Sequence, residues 1–186
     1  GAENHGSVLP DADRDQVVKD LAGAGYGSAG ERCMALPVVV PVGQRTADEL
    51  RERLVSEIPN LRVGVSTDAE AHYGPVVTQT HKDKVLGWIN KGVEEGAELV
   101  VDGREFSLQG HEKGFFIGPS LFDHVKPEME SYKEEIFGPV LQIMRAASCG
   151  EARSLPSRHQ YGNGVAIFTQ NGRAARDFAA RVNVGM

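Results

Sequence analysis

The chain has 186 residues, 40% of them hydrophobic and 25% charged, with a formal net charge of −6. That composition excludes a disordered or fibrous chain, and the acidic balance argues against a nucleic-acid footprint, which needs a clustered basic face. No stretch approaches the roughly 18 apolar residues of a membrane-spanning helix, and two cysteines, Cys33 and Cys149, build no disulfide framework.

Gly1 to His5 carries neither an initiator Met nor a signal-peptide pattern, so the expectation is a segment of a longer, non-secreted protein in a reducing compartment. After Asp11 and Asp13, apolar residues return at Val17, Val18, Leu21 and Ala22, which predicts a helix behind an acidic N-cap. It ends in the glycine-rich run Gly25 to Gly30. Pro37 to Val42 is a β-branched run and reads as a strand buried on both faces. Thr46-Ala47-Asp48-Glu49 has the form of a capping box, ahead of Leu50, Leu54, Val55 and Ile58 on one helical face.

A long helix is expected over Gln79 to Glu95, with Val85, Trp88, Ile89 and Val93 facing inward and Gly96 as its stop. Glu98 to Val101, Phe115 to Ile117 and Val140 to Ile143 read as strands. A weak helix over Glu151 to Ser157, broken by Pro156, precedes a strand at Val165 to Phe168 and a helix over Arg173 to Val182. Alternation of strands and helices predicts an α/β fold, a layered, largely parallel sheet flanked by helices. No linker or repeat divides residues 1–186.

Two segments can carry chemistry. Cys33 follows a glycine-rich break and a cation, Arg32, and a nearby cation or free backbone N–H groups favour the nucleophilic thiolate. The alternative is a small buried hydrophobe. Cys149 lies beside Glu151, which disfavours its thiolate. In Glu134-Glu135-Ile136-Phe137-Gly138-Pro139 a carboxylate can accept from a sugar diol, and the ring two residues on can pack on a flat heterocycle. The alternative there is an acidic solvated turn with Phe137 in the core. None of the six histidines sits at metal-ligand spacing, so no metal is expected. Complete Gly-x-Gly-x-x-Gly and P-loop fingerprints are absent.

Taken together, Gly30-Glu31-Arg32-Cys33, Glu134 through Val140, and Tyr161 through Thr169 resemble three segments of the aldehyde dehydrogenase superfamily, in the same order and at matching spacing. Gly1-Ala2-Glu3-Asn4-His5 and Gly27 through Ala35 resemble its CoA-acylating branch, which acts on methylmalonate and malonate semialdehydes, with Glu3 where that branch has lysine. The resemblance implies that Cys33 is the catalytic thiol, forming a thioacyl-enzyme that is passed to coenzyme A. It implies that Glu135 binds the nicotinamide ribose of NAD and that Phe137 lies beside the nicotinamide. Arg32 becomes either the anchor of the substrate carboxylate or a cation that activates Cys33.

It further implies that residues 1–186 form a single catalytic, thiol-bearing domain, with the NAD-binding Rossmann half absent from this chain. The implied setting of the full-length enzyme is a homo-oligomer in bacterial cytoplasm or the mitochondrial matrix, acting on a small semialdehyde. Two other readings stay open: a hydrolytic aldehyde dehydrogenase, and a catalytically silent scaffold or interaction module.

Overall fold

The computed structural model describes residues 2–186. In chain order the elements are β1 (His5–Val8), α1 (Arg14–Tyr26), β2 (Val38–Pro41), α2 (Gln44–Glu57), α3 (Gln79–Glu94), β3 (Glu98–Val101), β4 (Ser120–Asp123), α4 (Glu130–Lys133), β5 (Val140–Ile143), α5 (Cys149–Arg158), β6 (Val165–Phe168) and α6 (Gly172–Arg181). The six strands form one sheet in the order β3-β4-β5-β2-β1-β6. Every pairing is parallel except β3 with β4, so the expected largely parallel α/β layering is what the chain adopts.

Connections run both ways across this sheet. The chain moves from β1 through α1 to its neighbour β2, whereas β5 through α5 leads past β2 and β1 to β6. Right-handed crossovers in opposite directions place α1 and α5 on opposite faces. The central strands are therefore covered on both sides, and all residues of β1, β2, β4 and β5 are buried. The core joins Val38, Val39 and Val40 to Leu21 of α1, Leu50 and Leu54 of α2, Ile89 of α3 and Leu141 and Ile143 of β5.

Several local expectations are corrected. Helix α1 does start at an acidic cap, since Asp13 Oδ1 accepts from the amides of Asp15 and Gln16 at 3.0 and 3.1 Å. Helix α2 starts earlier than the Thr46 capping box implies. Gly43, at φ 87°, takes the cap position, and buried Thr46 lies inside the helix. Phe115 to Ile117 is a loop rather than a strand, although Phe116 and Ile117 are buried and Phe115 O accepts from Val76 N. Val93 is exposed rather than inward. Helix α5 continues through Pro156, which stands in its last turn.

Asp123, fully buried at the end of β4, accepts from Arg145 through both carboxylate oxygens at 3.0 and 2.7 Å. With Glu98 and His124 it forms a group of potential metal ligands. The group is already neutralised: Arg145 and Arg51 both pair with Asp123, and Arg51 also pairs with Glu98. Buried carboxylates persist when paired in this way.

Candidate active site

Four loops meet at one rim of the sheet, and each feeds the amino end of a strand. Ala2 to Asn4 leads into β1, Glu31 to Pro37 into β2, Glu134 to Pro139 into β5, and Tyr161 to Gly164 into β6. These are the four strands β5-β2-β1-β6, contiguous in the sheet. The three segments singled out from the sequence are thus neighbours in space. Cys149 lies at the opposite rim, beyond the carboxyl end of β5.

The Cys33 loop is held in an unusual shape. Ser28, Ala29 and Gly30 have φ of 53°, 56° and 73°, a left-handed run that turns the chain sharply after α1. Two non-glycine residues in that region cost on the order of 1 kcal/mol each, which the surrounding packing must outweigh. Gly30 admits no side chain, since a Cβ there would lie 2.0 Å from the carbonyl oxygen of Gly138. The loop with Cys33 and the loop with Glu135 therefore touch backbone to backbone.

Arg32 O accepts from Ala35 N at 3.1 Å, closing a turn with Cys33 at its tip. Cys33 is exposed, which removes the reading of a buried hydrophobe. Its carbonyl oxygen is gripped from two sides, by Asn4 Nδ2 and by Asn163 Nδ2, both at 2.9 Å. Among the described residues its amide donates to no protein acceptor. An exposed thiol beside a free, fixed N–H is what nucleophilic attack on a carbonyl needs, because the N–H can meet the oxyanion that forms.

Asn4 is the keystone of this rim. It is buried at 1% exposure. Its Nδ2 also donates to Ala35 O at 2.7 Å, and its Oδ1 accepts from Gly164 N at 2.7 Å. One side chain thereby joins the lead-ins of β1, β2 and β6. The segment Gly1 to His5 carries part of the family resemblance, but nothing local in it gives the partners of Asn4, which lie 29, 31 and 160 positions away.

Glu135 is half-buried, and its Oε1 accepts from the amide of Ala2 at 2.7 Å. That leaves its second oxygen for another donor. Phe137 sits at φ 57° and is partly exposed, not packed in the core. Arg32 is exposed and turned back toward α1, donating to Gly23 O at 2.8 Å and Gly27 O at 3.3 Å. It satisfies carbonyls at the helix end. To pair with a substrate carboxylate its guanidinium has to leave them.

Two neighbouring groups are titrated away from their ordinary values. Glu3 is 1% exposed, and burial raises its pKa well above the usual carboxylate range, with the nearby Glu135 adding to the effect. His5 is pushed down to about 3 by burial and by the adjacent His159. His5 Nε2 meets the Tyr132 hydroxyl at 2.8 Å.

Beside this geometry, the aldehyde dehydrogenase family matches the chain over residues 1–186. The chain belongs to that family. A malonate-semialdehyde dehydrogenase from Pseudomonas aeruginosa is 54% identical over 186 residues, covering 100% of this chain and 37% of its own length. The human mitochondrial methylmalonate-semialdehyde/malonate-semialdehyde dehydrogenase [acylating] is 44% identical over 185 residues, with 34% of its length covered. A Sinorhizobium meliloti structure assigned as a methylmalonate-semialdehyde dehydrogenase and complexed with NAD superposes with a TM-score of 0.98. It is 57% identical, and 100% of this chain covers 38% of that one. This aldehyde dehydrogenase chain thus spans about a third of the length of the relatives it matches.

Proposed function

We propose that this chain is the thiol-bearing catalytic domain of a CoA-acylating, NAD-dependent methylmalonate- or malonate-semialdehyde dehydrogenase. The observation that carries the reading is Cys33, exposed at a turn whose carbonyl is fixed by Asn4 and Asn163 while its amide, among the described residues, donates to no protein acceptor. The names of the similar proteins from Pseudomonas aeruginosa and human mitochondria support the substrate class, and the word acylating in the latter supports coenzyme A as acceptor. Those sources also support bacterial cytoplasm or the mitochondrial matrix as the setting.

The residues present fit NAD. Glu135 spends one oxygen on Ala2 N and keeps the other for a ribose hydroxyl, and Phe137 offers a partly exposed ring beside it. When bound there, NAD supplies the hydride acceptor. The chain's own part is thiol chemistry. The Cys33 thiolate attacks the aldehyde carbon, forming a C–S bond, and the carbonyl oxygen becomes an oxyanion against the Cys33 N–H. After oxidation the acyl group is held as a thioester on Cys33, and the thiol of coenzyme A displaces it, returning the thiolate. In the complete enzyme we place this domain beside an NAD-binding domain, within a homo-oligomer.

The test is to supply the protein carrying this chain with malonate semialdehyde, NAD and coenzyme A. NADH and an acyl-CoA thioester form together, and Cys33→Ala stops both. NADH formation with a free acid as product, at a rate indifferent to coenzyme A, replaces this reading with hydrolysis.

A further inference from the structure

His81 stands between the two loops of the site. It is the third residue of α3, and its amide donates to the capping hydroxyl of Thr78 at 3.1 Å, so the helix start fixes its place. Its Nε2 faces two oxygens, the backbone carbonyl of Phe137 at 2.6 Å and Glu31 Oε1 at 3.3 Å. A carbonyl and a carboxylate only accept, so Nε2 carries the hydrogen and donates. Its ring meets that of Phe137 edge-on, at a centroid distance of 6.1 Å and an angle of 70°.

Both partners matter to the chemistry proposed above. Glu31 is two residues before Cys33, and its Oε1 also accepts from Val77 N at 3.3 Å, one residue before the cap of α3. The side chains of Glu31 and His81 are only 11% and 18% exposed. Phe137 holds the left-handed φ of 57°, a conformation that needs outside restraint in a residue with a Cβ. A hydrogen bond to its carbonyl and an edge contact to its ring supply that restraint from one side chain.

We propose that His81 is a positioning residue for the oxidation step, clamping the Cys33 loop to the Phe137 loop and so setting the thiol's distance from the bound nicotinamide. This rests on the assignment of Phe137 to the cofactor side. His81 touches neither thiol nor substrate, so it governs alignment rather than thiol reactivity. A misplacement of an ångström between reacting centres costs on the order of a hundredfold in rate.

The experiment uses the protein carrying this chain with His81→Ala and His81→Gln, the latter keeping an N–H donor. Steady-state kcat, KM for the semialdehyde, the rate of Cys33 alkylation by iodoacetamide and the thermal midpoint are read together. His81→Ala is expected to lower kcat about ten- to a hundredfold while KM for the semialdehyde and the alkylation rate stay within about twofold. His81→Gln is expected to recover most of kcat. An unchanged kcat in His81→Ala overturns the proposal. So does a fall in kcat matched by a fall in alkylation rate and thermal midpoint that His81→Gln does not reverse, since that is a purely structural role. Absence of NADH formation by the unmutated protein overturns instead the dehydrogenase reading on which the proposal rests.

Discussion

The side-chain amide of Asn4 holds the carbonyl of Cys33 at 2.9 Å and, through its other end, the amide of Gly164 at 2.7 Å. Asn4→Ala releases three backbone groups at once and leaves buried ones unpaired. The expected loss of stability is about 2–4 kcal/mol, measured by urea unfolding, together with a loss of Cys33-dependent turnover. Asn4→Asp is expected to be worse than alanine, because a carboxylate set against the carbonyls of Cys33 and Ala35 has no hydrogen to donate to either. An aspartate variant as stable as the native protein contradicts the assignment of Asn4 Nδ2 as the donor.

Gly30→Ala tests the contact between the two loops. The added Cβ would lie 2.0 Å from Gly138 O, and φ there is +73°, so neither space nor backbone accommodates it. Stability is expected to drop by roughly 1–3 kcal/mol, and activity more steeply, since the displaced segment carries Cys33. Chemical unfolding and turnover, measured in parallel, separate the two effects.

Glu135→Gln keeps an oxygen for Ala2 N but removes the charge. Hydrogen bonds to a charged group are worth about 1.5–3 kcal/mol, so KM for NAD should rise roughly ten- to a hundredfold with little change in thermal midpoint. An unaltered KM removes Glu135 from the cofactor site.

Stability should pass through a maximum with pH, set by two buried groups at the entry to β1. The folded His5 takes a proton only near pH 3, against an ordinary value of 6.5. Between those values the unfolded chain binds a proton that the folded one refuses, so stability falls as pH drops from about 6.5 toward 3. Glu3 behaves in the opposite sense. Its pKa is raised above the ordinary 4.5, so the folded chain keeps a proton that the unfolded chain has lost, and stability falls as pH rises above about 4.5. Each group contributes at most about 1.4 kcal/mol per pH unit. Thermal midpoints across the pH range should show a flatter acid limb in His5→Gln and a flatter alkaline limb in Glu3→Gln.

What could be read from the residues alone follows from where the structural signal is local. Val38 to Val40 and Val140 to Ile143 declare themselves by β-branched or apolar runs, and Asp13 by its place before a periodic helix. Strand β1 does not, because His5-Gly6-Ser7-Val8 has little strand propensity and is extended only through its pairing with β2 and β6. The short β4 has only Leu121 and Phe122 to mark it, while Phe115 to Ile117 looks like a strand yet bonds its backbone to a loop. At the site, Cys33, Glu135 and Phe137 were legible as chemical types in suggestive settings. Asn4, Asn163 and His81 were not, since each acts on backbone groups far away in sequence, and Arg32 gave no sign that it would turn toward α1.

The span of the contacts made by Asn4 has a kinetic consequence. Its partners lie 29, 31 and 160 positions along the chain. Pairings of such length close late, after local turns and helices have formed. The turn bearing Cys33 can form early, but its seat is complete only when β6 docks beside β1. A nascent chain that has not yet delivered Asn163 and Gly164 thus holds the Cys33 carbonyl through Asn4 alone, and the second grip on that turn arrives only with the segment that leads into β6.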